Sequence, residues 1–153
     1  MNEDPKFAYR ESAARAASPV GRVVLLYEQA IQDLGAAIAA IGNRDVEVRT
    51  QKLNHALLVI GQLQACLDLD RGGEVGRNLD RFYGLMRSRL LAAQLSGSGT
   101  ILREQMDLLL SLRAAWIEVE SAESQSPGVG PSHGAVTLNG DPAAPGASTR
   151  WRA

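Results

Sequence analysis

The sequence predicts an all-α fold: an antiparallel four-helix bundle over residues 1–120, opened by a short N-terminal cap helix, then a disordered Gly/Pro/Ser-rich tail over 121–153. Three observations lead there. Four segments repeat apolar residues at spacings of three and four, the period of a helix with one buried stripe, and nothing alternates as a strand would. The breaks between them, GNRD at 42–45, DRGG at 70–73 and SGSG at 96–99, are too short for anything but antiparallel neighbours. From Ser121 the sequence, SAESQSPGVGPSHGAVTLNGDPAAPGASTRWRA, has no periodic face to bury.

The elements follow in order. Residues 7–16 form a short amphipathic segment, expected to cap one edge of the bundle as a mobile helix. The first long helix starts with Ser18 as N-cap and Pro19 at N1, where a missing N–H costs nothing and the fixed φ is already helical. Val20, Val24, Tyr27, Ile31, Leu34, Ile38 and Ile41 then mark a bundle seam, and Gly42 ends it. The second helix, capped by Asp45, turns Leu53, Leu57, Ile60, Leu63 or Gln64, and Leu67 to one side. The third begins after Gly72-Gly73 and carries Val75, Leu79, Phe82, Met86 and Ala93, widened by Tyr83 and Leu90. In the fourth the apolar set is Ile101, Leu102, Leu108, Leu109, Leu112, Trp116 and Val119.

Composition narrows the function. A net charge of -1 and a pI near 6.1 supply no positive field for nucleic acid or an anionic membrane, so neither partner is expected. The lone Cys66 rules out an internal disulfide and reads as a small buried hydrophobe. MNEDPKFAYRES has no apolar signal core, and the apolar runs read as too short and interrupted to span a bilayer, which points to the cytoplasm.

No catalytic constellation emerges, and no cofactor or metal is expected. His55, on the second helix, and His133, in the tail, lack the Glu-x-x-His partners of a metal site inside a bundle. Gly72-Gly73-Glu74 lacks the Lys-Ser/Thr of a phosphate-binding loop and reads as a helix-start turn. An exposed helical histidine also suits a phosphotransfer bundle, an alternative in which His55 would accept a phosphoryl group. The residues after it, Ala56-Leu57-Leu58-Val59-Ile60-Gly61, offer no lysine to neutralise phosphate, so His55 reads as a partly exposed residue without chemistry.

The apolar excess is more informative. Val23 through Tyr27 are all apolar, and five consecutive residues wrap well over half of a helix. Val24 and Tyr27 fit the seam; Val23 and Leu26 fall on flanking faces. With similar runs at 57–60 and 108–110, the excess indicates either grooves that accept apolar helices of another chain or wide flanks covered by the chain's own N-terminal segment. Trp151, between Arg150 and Arg152, is the one large apolar anchor in the tail, either a short docking motif or a chance aromatic.

Tyr9 stands nine positions before Ser18-Pro19, followed by Leu26-Tyr27, Ala30-Ile31, Leu69, Gly72-Gly73-Glu74, Asn78-Leu79, Tyr83, Met86, Leu90, Arg113 and Trp116. In this order and spacing, residues 7–116 resemble the FliS family of flagellin export chaperones. Ala14, where such chaperones often have Val, and Glu28-Gln29, where Asp-Gly is common, depart from the pattern. The resemblance implies no enzyme. It implies binding the C-terminal segment of newly made flagellin, blocking its premature polymerisation and delivering it to the flagellar export gate. Combined with the apolar excess, it gives Tyr9, Val23, Leu26, Tyr27, Ile31, Leu79, Tyr83 and Met86 as the expected partner-binding set. The same grooves would serve a homodimer of the free chain.

Overall fold

A computed structural model of the chain describes residues 4–125, which form five helices and, among the described residues, no strand. They are α1 (Pro5–Ala16), α2 (Pro19–Gly42), α3 (Val46–Ala65), α4 (Leu69–Ser96) and α5 (Gly99–Ser124). Thus α5 runs past residue 120, and most of the expected tail, with His133 and Trp151, lies outside the described residues.

Each helix starts on a short polar side chain that accepts an otherwise unpaired backbone N–H. Ser18 Oγ accepts from Gly21 N at 2.9 Å and Asp45 Oδ1 from Val48 N at 3.0 Å, as their places in the sequence suggest. Asp4, Asp68 and Ser98 cap α1, α4 and α5 in the same way. The cap on Asp68 moves the start of the third long helix. It was expected after Gly73, but a helical turn already runs from Leu69, and the break falls inside it at Gly73 (φ 59°, ψ -142°). That conformation is open only to glycine, so α4 is a one-turn lead-in jointed to a long helix.

Gly21 has a different reason. A Cβ there would lie 1.8 Å from the carbonyl oxygen of Arg15, so only glycine lets the end of α1 sit against the first turn of α2.

α2 packs on α3 and α5, α4 lies more sparsely against the same two helices, and α1 rests on α2. The seam residues Val20, Val24, Tyr27 and Leu34 are buried, with Ile31, Ile38 and Ile41 packed half-buried beside them. They meet Leu53, Ile60 and Leu63 of α3, Tyr83, Met86 and Leu90 of α4, and Leu102, Leu109 and Trp116 of α5 in one core. At 24 residues, α2 is long and apolar enough to cross a membrane, contrary to the expectation that no run would be. Small Ala and Gly residues bridge its larger apolar ones, and its inward side is taken up by α3 and α5.

At the centre, Tyr27 of α2 and Tyr83 of α4 share a hydroxyl hydrogen bond of 2.6 Å, with ring centroids 6.3 Å apart. Burial pushes both phenol pKa values above the usual tyrosine range, because neither phenolate can be hydrated there. Above about pH 10 the tyrosines of the unfolded chain release protons that the folded chain keeps, so stability falls as pH rises. Denaturation midpoints should therefore drop between pH 9 and 11, and the drop should shrink in Tyr83→Phe.

Candidate functional site

A binding surface must be built from apolar area that the helices do not cover themselves. Four of the eight expected partner-binding residues fail this condition. Tyr27, Tyr83 and Met86 are sealed at the centre, and Val23, expected on a flanking face, is also in the core at 5% exposure. The reason is geometric: Val23 is one turn before Tyr27, and α2 is covered by α3 on one side and α5 on the other. Leu26, Ile31 and Leu79 are half-buried at the core's edge. Tyr9, in α1, is fully on the surface, and so is Phe7.

Leu79 leads to the open apolar surface. It lines a cavity of about 200 Å³ with Val75 from α4 and Leu112, Ala115, Trp116 and Val119 from α5. Further along the same two helices, Phe82, Leu85 and Leu108, with only an edge of the otherwise buried Met86, supply the apolar wall of a wider depression of about 820 Å³, which Arg89, Glu104, Gln105, Asp107 and Ser111 also line. Val75, Leu85 and Leu108 are each at least 45% exposed. Together the two cavities make an apolar trough along α4 and α5, where α4 packs sparsely. The sequence pattern assigns Val75, Phe82, Leu108, Leu112 and Val119 to inward stripes; Phe82 and Leu112 do pack against the core and also line the trough, whereas Val75, Leu108 and Val119 are exposed there. The excess at 108–110 was the available signal, since Leu109 is buried while Leu108 and Leu110 remain exposed.

His55 does have a task. Its Nδ1 lies 2.6 Å from Oδ2 of Asp33, a carboxylate buried at 2% exposure on α2, while Gln29 Nε2 donates to Oδ1 at 3.3 Å. A buried carboxylate needs such partners. His55 therefore ties α3 to α2, and no cluster of three metal-binding side chains is present among the described residues. His55→Ala should strand Asp33 and cost about 1–2 kcal/mol, read as a lower denaturation midpoint.

An ion network fixes the end of α1. Arg15 Nε donates to Glu120 of α5 at 3.1 Å and its Nη1 to Glu28 of α2 at 3.3 Å, while Arg113 Nη2 donates to Glu28 at 2.7 Å. The hydrogen bond to Glu120 raises the Arg15 pKa further. No residue of α1 is buried, so α1 is held by these polar contacts and by its close approach to Gly21. Glu28 and Gln29, the departures from the family pattern, thus have structural partners in Arg15, Arg113 and Asp33.

The comparisons with known proteins agree with one another. A family model described as Flagellar protein FliS matches residues 1–123. The chain is 32% identical over 115 residues to the flagellar secretion chaperone FliS of Salmonella typhimurium, covering 74% of this chain and 85% of that protein. It is 32% identical over 106 residues to the flagellar secretion chaperone FliSB of Pseudomonas aeruginosa, covering 69% and 84%. With the flagellar secretion chaperone FliS of Vibrio cholerae the identity is 28% over 109 residues, covering 71% and 80%.

Proposed function

The chain belongs to the FliS family of flagellar secretion chaperones, and from that premise we propose that it binds the C-terminal segment of flagellin in the cytoplasm, prevents premature polymerisation and delivers it to the flagellar export gate. The observation that carries this reading is the apolar trough of α4 and α5, left open beside a closed core. A segment that is unfolded before assembly but has an apolar helical face would self-associate unless that face were occupied. Ordering such a segment along a trough typically buries about 1,000–3,000 Å² and gives up several kcal/mol to ordering, so binding is specific yet releasable. No catalytic step or cofactor is required.

In this reading α2 to α5 form an antiparallel four-helix bundle with α1 as its cap, and residues 1–120 are the folding unit. Cross-helix bonds support the directions: Arg49 of α3 reaches Gln94 of α4, while Gln64 of α3 reaches Asp80. The same surface would also accept a second copy of the free chain. Leu79 is the half-exposed residue of the expected set in the trough, where Met86 shows only a buried edge, with Leu26, Ile31 and Tyr9 as secondary contacts.

Titration calorimetry with the flagellin C-terminal segment tests the proposal. Leu79→Asp places an unpaired charge where the partner would dehydrate it, so affinity should fall at least about tenfold, or about 1.4 kcal/mol. Leu79 is half-buried at an edge, so the circular dichroism of the variant should stay helical. Unchanged affinity in a folded Leu79→Asp would remove the trough from the binding surface.

A further inference from the structure

Trp151 and the arginines beside it are not accounted for by the helical core, and α5 brings the chain close to a site that fits them. The smaller cavity of the trough is lined, among the described residues, by Val75, Leu79, Leu112, Ala115, Trp116 and Val119. Its α5 wall ends just before the helix itself does, since Val119 precedes Ser124 by five residues, about 7.5 Å of helix. Trp151 follows Gln125 by 26 residues, and a random chain of that length spans about 25–30 Å. The indole can therefore reach the cavity without the intervening chain being stretched.

Charge points the same way. Asp107 and Glu118 lie eleven residues apart on α5, close to three full turns, so both fall along one edge of that helix beside the trough-lining Leu108 and Val119. Both are exposed. Arg150 and Arg152 flank Trp151 with the opposite charge. Such rim pairs add little affinity in water but orient the contact.

We propose that Trp151 docks in cis into the cavity between Val75, Leu79 and Trp116, with Arg150 and Arg152 over the acidic edge of α5, so that this chain occupies its own trough until a client displaces it. The connection makes the contact intramolecular, with an effective concentration in the millimolar range, so one aromatic side chain suffices where a free peptide of the same sequence would bind weakly. The occupancy covers the exposed apolar wall while no client is bound. That regulation rests on the trough being the flagellin site, whereas the docking itself does not.

The test is fluorine NMR of the full chain labelled with 5-fluorotryptophan, which gives one signal for each of Trp116 and Trp151, assigned with Trp151→Phe. The wild-type Trp151 signal should differ from that of the free peptide Thr-Arg-Trp-Arg-Ala, stay constant on dilution, and move to the peptide position in Val75→Asp. Val75 is half exposed, so that variant keeps its fold, checked by an unchanged Trp116 signal. A wild-type signal already at the peptide position overturns the inference, as does one that reaches it on dilution, since the occupant is then a second copy. Adding the flagellin C-terminal segment should also release Trp151, and Trp151→Ala should tighten binding of that segment by about threefold if the site is covered two-thirds of the time. A docked Trp151 that the segment does not release keeps the cis contact and overturns the shared site. A Trp151 at the peptide position, with flagellin binding still lost in Leu79→Asp, overturns the cis contact and keeps the flagellin reading.

Discussion

Val24→Asp is expected to abolish the fold. Val24 has no exposed surface and is surrounded by the common core of α2, α3, α4 and α5. The substitution loses the burial of an aliphatic side chain, about 1.5–3 kcal/mol, and adds the cost of a carboxylate with no designed partner. Together these amount to about 5 kcal/mol or more, comparable with the whole stability of a domain of this size. Far-ultraviolet circular dichroism should show loss of helix at room temperature, with aggregation. Asp33 shows what a core carboxylate requires here: a histidine at 2.6 Å and a glutamine at 3.3 Å. Position 24 supplies neither. A Val24→Asp chain that kept its helical signal and melting point would mean that the core opens there more easily than its burial implies.

Trp116→Ala comes second, at about 3–5 kcal/mol from lost transfer energy and the cavity left behind. Trp116 is 8% exposed and belongs to the core, yet its outer edge forms part of the trough wall. Removing it would join the cavity to the interior beside Tyr27 and Leu109. The denaturation midpoint should fall steeply while the slope stays unchanged, as for a loss of stability without a change of unfolding mechanism. An unchanged midpoint would place the indole outside the core.

The helices and the closed core were largely legible because both are written as local patterns. The three-and-four spacing of Val20, Val24, Tyr27 and Leu34 marks buried residues, and Ser18 and Asp45 mark helix starts. What was not legible depends on which helix faces which. Val23 looks like a flank of α2 in isolation and is core only because α2 is covered from two sides. Val75 and Val119 look like core in their own stripes but line open surface, because α4 packs sparsely there. Asp33 sits on the inward face of a long apolar helix, and no pattern on α2 reveals that His55, on another helix, satisfies it. The cap on Asp68 is written in the sequence, but Gly72-Gly73 is the more conspicuous signal and points to a helix start five residues later than Leu69.

The most direct test of the trough is leucine methyl NMR of the full chain titrated with the flagellin C-terminal segment. Leu79, Leu85, Leu108 and Leu112 line the two halves of the trough, while Leu58 is exposed on α3, away from it. If the trough is the binding surface, the first four methyl signals shift or broaden together as segment is added, and Leu58 stays in place. Shifts at Leu58 with Leu79, Leu85, Leu108 and Leu112 unmoved would contradict it.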